Sequence, residues 1–380
     1  MGRRQSNPSR REFLAAMAVT SAAMLVRPDQ LWSAEVDPRV SQIVSQIVSR
    51  TIAVDMHNHV TIRFVNDDPA DAAPDPNFDL AGEIKRSGFS AICQTYAVDR
   101  LVTKAGEYYK VHLQTLEFQD RLLASNHMRR ALNMKDLETA HAHGQPIIVQ
   151  SAEGAQFMEG RLERMEEAYK RGLRLVQPAH EQDDTVSPVG DVYTAAAHLG
   201  GLTAFGAKVV QECNRLGIVV DLAHGTSETV MGALKVATQP LIISHTGAGN
   251  GDIPADWRPR LISKDVARAV ADAGGVVGIW WRLVDSMKEY VEGIKKMVDA
   301  VGVDHVGVGT DTNITSSYIS PYTNKIWPDE DGGFFYALAG EMLKQGFTPD
   351  EISKIGGGNF CRVFAKVTAG HAETVAPPKS

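Results

Sequence analysis

Between residues 52 and 311 the chain alternates short, nearly continuous apolar runs with longer stretches of helical period. The runs are Ile52–His59, Phe89–Tyr96, Pro146–Glu153, Leu173–His180, Gly217–His224, Leu241–His245, Gly275–Trp281 and His305–Asp311. Such runs fit parallel strands that are covered on both faces. Between them lie amphipathic helix patterns: Phe205–Leu216 is closed by Gly217, and Lys264–Ala273 by Gly274-Gly275. A helix-like lead, Val40–Arg50, precedes the first run. Eight strand–helix alternations in one chain predict an α/β fold, a (β/α)8 TIM barrel. An open doubly wound sheet has little support, because no G-x-G-x-x-G follows the first run. Asn66–Asp79 and Thr312–Gly333 are expected as long loops on the same barrel end, and Val375–Ser380 as a mobile tail.

The start of the chain reads differently. Residues Arg3 to Arg11 carry four Arg, and an apolar run from Phe13 to Val26 follows. A positive region, a short apolar run and small residues near Ser33-Ala34 have the order of an export signal. The run is too short and too rich in Ala and Ser for a comfortable membrane span. Ser9-Arg10-Arg11-Glu12-Phe13-Leu14 resembles the twin-arginine signal. It implies export of a folded protein by the twin-arginine machinery, into the periplasm or beyond. Residues 1–34 are therefore expected to be removed, leaving residues 35–380 as one barrel domain with no stable membrane anchor.

Composition narrows the partners. Of 380 residues, 46 are acidic and 39 basic, a net charge of −7, and the first 34 residues contribute +3 of it. The remainder, at −10, lacks the basic footprint that nucleic acid or an anionic membrane needs. Cys93, Cys213 and Cys361 are an odd, scattered set in apolar surroundings, better suited to packing than to a disulfide scheme. The chain also has 12 His, more than its core requires.

Where the polar residues fall points to chemistry. The first strand ends Asp55-Met56-His57-Asn58-His59, the third at Glu153, the fourth at His180, the fifth at His224, the sixth at His245 and the eighth at Asp311. In a barrel, all of these positions lie on the C-terminal rim, where catalytic groups converge. Alternation places His57 and His59 on one side of their strand, so both can face one ion. Imidazoles suit zinc and related metals, and a carboxylate such as Glu153 can bridge two ions that share and activate a water. The expected ligands are His57, His59, Glu153, His224 and His245. The pair His141 and His143 lies in a polar helix-to-loop stretch and is set aside, and His305 begins its strand at the other barrel end. His112, His127, His198 and His371 are assigned to surface or capping positions.

These residues also carry a family resemblance. Asp55-Met56-His57, Gly201 to Gly206, Asn214 to His224, Ile243-Ser244-His245, Gly302 to Asp311 and Gly357 to Phe364 resemble the membrane (renal) dipeptidase family of zinc peptidases. The resemblance runs over roughly residues 50–365 and is strongest after residue 200. It implies a (β/α)8 barrel with an amidohydrolase-like site holding two zinc ions, and a homodimer. Position by position, it implies that His57 and the residue two after it bind one metal, that Glu153 bridges both, and that His224 and His245 bind the second. It implies that His180 touches the scissile carbonyl and stabilises its oxyanion. Asp311 would pass a proton from the attacking water to the departing amine, and Arg260 would hold the substrate carboxylate.

Two positions depart from the family pattern. The family has H-x-D after the first strand, where this chain has His57-Asn58-His59, and Leu261 replaces an Asn after the Arg. A neutral ligand in place of an anionic one leaves the metal pair one charge more positive. Bound water should be more acidic, and a substrate amino group should be less attracted. The expected function is an exported two-zinc hydrolase that cuts the amide of a dipeptide or similar small carboxylate-bearing substrate. The alternatives are a related amidohydrolase acting on a lactam, lactone or N-acyl amino acid, and a metal-bearing barrel that binds without turnover.

Overall fold

The computed structural model describes residues 38–60, 78–97, 99, 106–180, 188–247, 255–284, 286–314 and 333–371. The export motif, the tail and most of both expected long loops lie outside these. Helix α1 (Pro38–Arg50) leads into β1 (Val54–His59), α2 (Leu80–Ser87), β2 (Ala91–Ala97), α3 (Tyr108–Ser125) and α4 (Met134–Ala142). Then come β3 (Ile147–Glu153), α5 (Glu163–Lys170), β4 (Leu173–Gln177), α6 (Ala204–Leu216), β5 (Val219–Val220) and α7 (Ser227–Val236). The remainder is β6 (Ile242–Thr246), α8 (Lys264–Asp272), β7 (Val276–Ile279), α9 (Met287–Val301), β8 (Val306–Val308), β9 (Thr312–Asn313), α10 (Phe334–Lys344), α11 (Pro349–Ser353) and α12 (Asn359–Thr368). None of the helices is long and apolar enough to cross a membrane, among the described residues.

Local chemistry sets several boundaries. Thr203, Thr226 and Ser263 each accept a backbone N–H two or three residues inside α6, α7 and α8, the role of an N-cap hydroxyl. Gly217 ends α6 at φ 78°, a left-handed conformation that glycine adopts without a Cβ clash.

Every strand pairing is parallel, and the ladders form two arcs, β5-β4-β3-β2-β1-β9 and β6-β7-β8. The order is the circular order of a (β/α)8 barrel, with β8 and β9 as two halves of one segment. Two seams separate the arcs, and each is fastened by a buried aspartate. Across the first, a single bridge joins Asp221 to Ile242, and Asp221 Oδ1 accepts from the N–H of Ser244 at 2.9 Å. Across the second, the Asp55 carboxylate accepts from the Thr310 N–H at 2.9 Å and from its hydroxyl at 2.7 Å.

The core has two parts. The larger lies between strands and outer helices. The smaller fills the barrel: Val54, Met56, Cys93, Val149, Leu175 and Val276 pack against Phe360 and Phe364 of α12. Asn359 anchors that helix by donating to the carbonyls of Val303 and Val306, at the start of β8. Thus α12 seals the N-terminal mouth and leaves the opposite rim for polar groups. The three cysteines are free thiols, all buried.

Candidate metal centre

The strand ends deliver their polar side chains to one point on the C-terminal rim. At its centre is Glu153, the last residue of β3. Its Oε1 lies 3.5 Å from His57 Nε2, 3.1 Å from His180 Nε2 and 3.4 Å from His224 Nε2, and its Oε2 lies 3.8 Å from His59 Nε2. His245 Nε2 is 3.1 Å from His224 Nε2. Asp311 closes the far side, with Oδ1 3.1 Å from His59 Nε2 and 3.8 Å from His57 Nε2. His57 and His59 both reach the site, as alternation suggests. A register shift between Asp55 and Asn58 marks the change from plug residues Val54 and Met56 to site residues.

The rings are held from behind. Ser244 Oγ lies 2.8 Å from His245 Nδ1 and 3.3 Å from His57 Nδ1. His59 Nδ1 donates to the Thr95 carbonyl, and His180 Nδ1 lies 2.6 Å from Asp99 Oδ1. Anchoring these four outer nitrogens turns the inner ones toward the centre, the arrangement that orients metal-ligating histidines, whereas His224 Nδ1 has no such partner among the described residues. His57 Nε2 and His180 Nε2 are buried and face the Glu153 carboxylate without a well-aligned hydrogen bond to it. Buried nitrogens left so would be costly in a site built only for packing. Three overlapping ligand triads are present among the described residues: His57–Glu153–His245, His57–His59–Asp311 and Glu153–His180–His224. The donor set of imidazoles and carboxylates therefore fits a transition-metal centre.

Electrostatics agree for both carboxylates and for His224 and His245, whereas His57 is pushed up, its burial outweighed by Glu153 and Asp311. Burial opposes charge on Glu153, yet His180 and His57 outweigh it and hold the carboxyl well below its ordinary range. Asp311 is likewise opposed by burial and held low by His245, His59 and His57. Burial first, then nearby cationic groups including Arg260, keeps His224 and His245 neutral, the form that ligates metal.

Comparison with known proteins gives the family and the fold. The membrane dipeptidase family (peptidase family M19) matches residues 41–377. The chain belongs to that family. A curated relative, the dipeptidase tcpJ of Claviceps purpurea, is 26% identical over 253 residues, covering 64% of this chain and 56% of that protein. The chain thus spans little more than half the length of this relative. Among solved structures, the probable dipeptidase PvdM from Pseudomonas aeruginosa has a TM-score of 0.69 at 17% identity, covering 87% of this chain and 99% of that one. A metallo peptidase from Rhodobacter sphaeroides, liganded with a phosphinate mimic of the dipeptide L-Ala-D-Ala, has a TM-score of 0.63 at 18% identity, covering 83% and 99%. At these identities the likeness to both solved structures is one of fold.

His57, His59, Glu153, His180, His224, His245 and Asp311 all converge. The triads do not, however, divide the ligands into the two sets that the family pattern implies. Arg260 also reaches the site, with Nη2 2.8 Å from His224 Nε2 and 3.3 Å from His245 Nε2. His180 and Asp311 lie just past their strands, and Asp311 sits at φ 51°, a left-handed conformation that Asp tolerates better than most residues. His141 and His305 sit outside the site, bonded to Ser90 Oγ and the Gly275 carbonyl. The surface assignment fails for His112. It is buried, its ring stacked 4.2 Å from Phe157, with Nδ1 2.8 Å from the Tyr96 hydroxyl. A polar residue in a helix is ordinarily placed on its exposed face, and only packing shows that this one lies on the covered face.

Three further residues were not singled out from sequence: Asp99 behind His180, Ser244 behind two ligands, and Trp280. Asp99 and Trp280 follow β2 and β7, the two strands to which no rim group had been assigned. The empty slots in an otherwise complete ring were the available signal.

Proposed function

We propose that the chain is a metallo-dipeptidase that holds two zinc ions and cleaves the amide of dipeptides and similar small carboxylate-bearing substrates. The observation that carries this reading is Glu153, one buried carboxylate facing His57, His180 and His224 at 3.1–3.5 Å. His57 and His59 with Glu153 would hold one ion, and Glu153 with His224 and His245 the other. When bound, the metals supply Lewis-acid polarisation and a water of lowered pKa.

The chain's own groups supply the rest. Asp311 Oδ1 takes a proton from the attacking water and returns it to the departing amide nitrogen, the work of a general base and acid. His180 Nε2, fixed by Asp99, donates to the carbonyl oxygen as negative charge develops there. Arg260 holds the carboxylate of the leaving residue. A barrel that merely bound metal would not need the Asp99–His180 pair. Family membership and the dipeptide mimic on the Rhodobacter structure support the substrate class. The Ser9–Leu14 motif supports folded export to the periplasm or outside, and the family resemblance supports a homodimer.

One observation favours a second substrate class. His59 brings an imidazole where the family pattern has a carboxylate, which suits N-acyl amino acids or lactones that carry no free ammonium. The test is a substrate panel on purified protein. It should contain close to two zinc ions per chain and hydrolyse dipeptides, including those ending in a D-residue, faster than N-acyl amino acids and lactones. Active protein without metal would overturn the mechanism, and turnover confined to the acylated or lactone substrates would overturn the substrate class.

A further inference from the structure

Trp280 immediately follows β7 and is fully buried, its backbone N–H donating to the Thr246 carbonyl at 2.8 Å. Its two faces of chemistry point to two different functional groups. The indole Nε1–H donates to Asp311 Oδ2 at 2.9 Å. The ring face lies under the Arg260 guanidinium, with Cζ 3.8 Å from the ring centroid. Tyr193 flanks the same guanidinium at 5.3 Å. Arg260 Nη2 and Asp311 Oδ2 are themselves 3.8 Å apart.

We infer that Trp280 is a positioning residue that sets Asp311 and Arg260 relative to one another, and so limits the enzyme to amides whose leaving amine carries a nearby carboxylate. This rests on the proposed dipeptidase function. The two contacts act separately. A hydrogen bond to Oδ2 stops the Asp311 carboxylate from rotating and leaves Oδ1, the oxygen beside His59 and His57, as the atom that handles the proton. The flat contact with Arg260 is a cation–π interaction in a desolvated place, which holds a long side chain in one arrangement before substrate arrives. Phe lacks the donor, and Tyr carries an O–H at the far end of its ring rather than an N–H on the ring edge.

Substitution separates the two roles. Trp280→Phe keeps a ring for Arg260 and removes the N–H; it should lower kcat for L-Ala-D-Ala about tenfold with little change in KM, a loss of one hydrogen bond's size. Trp280→Leu removes both contacts and should also raise KM several-fold. Zinc content and melting temperature of both variants serve as controls for a purely structural effect. A readout independent of turnover is the indole Nε1–H resonance of wild-type protein, identified by its absence in Trp280→Phe. It should lie downfield and move in Asp311→Asn. Unchanged kcat in Trp280→Phe, equal KM changes in the two variants, or an indole resonance indifferent to Asp311→Asn would each overturn the inference. If wild-type protein hydrolyses no dipeptide while the resonance still responds to Asp311→Asn, the function reading fails and the Trp280–Asp311 link stands.

Discussion

Asp99→Asn tests whether His180 is held for chemistry or for metal. Asp99 Oδ1 lies 2.6 Å from His180 Nδ1, and both side chains are buried. Burial by itself would lower the pKa of His180, but Glu153 and Asp99 outweigh it and lift it to about 10. The Nδ1–H therefore donates to a carboxylate, a charge-assisted bond contributing about 1.5–3 kcal/mol against about 0.5–1.5 for a neutral one. The asparagine oxygen can still accept from Nδ1, so the tautomer survives and only the difference is lost. That difference, about 1–1.5 kcal/mol, corresponds to roughly a tenfold fall in kcat if His180 stabilises the oxyanion. The assay is steady-state hydrolysis of L-Ala-D-Ala in excess zinc, with elemental analysis of the same preparation. KM and zinc content should be nearly unchanged. An unaltered kcat would refute the oxyanion role. Loss of zinc would place His180 among the ligands, as the Glu153–His180–His224 triad permits.

Two stability predictions follow from groups outside the metal centre. Burial, with Arg171 and Arg164 nearby, pushes His112 down to about 3 from 6.5. Its native pKa lies below its unfolded one, so stability is fully present above pH 6.5 and is lost as pH falls toward 3, at about 1.4 kcal/mol per pH unit. His112→Phe should keep the stack on Phe157, leave the Tyr96 hydroxyl unpaired and flatten this acid dependence; urea melts at pH 7 and pH 5 that lose equal stability in both proteins would contradict the assignment. Phe360 is almost fully buried and stacked 5.7 Å from Phe364 in the plug. Phe360→Ala should cost about 3–5 kcal/mol of unfolding free energy, and a cost well under 1 kcal/mol would show that α12 does not seal the barrel.

The strand–helix rhythm is legible in the residue pattern, because each strand is apolar on both faces and each helix has one apolar stripe. The pattern also determined the rim, because a barrel brings the ends of all its strands to one place whatever their separation along the chain. His57, Glu153, His224, His245 and Asp311 were legible for that reason: each sits at the end of a recognisable run. The tertiary structure decided what periodicity does not encode. It showed that Asp55 and Asp221 fasten the two seams between the arcs, since a carboxylate's partner across a seam has no fixed sequence offset. It moved His112 from surface to core, since a helix pattern does not say which neighbour covers a given face. It filled the two unassigned rim slots with Asp99 and Trp280. Neither closes an apolar run as the other rim groups do, and each acts through a side chain that only folding brings within hydrogen-bond reach.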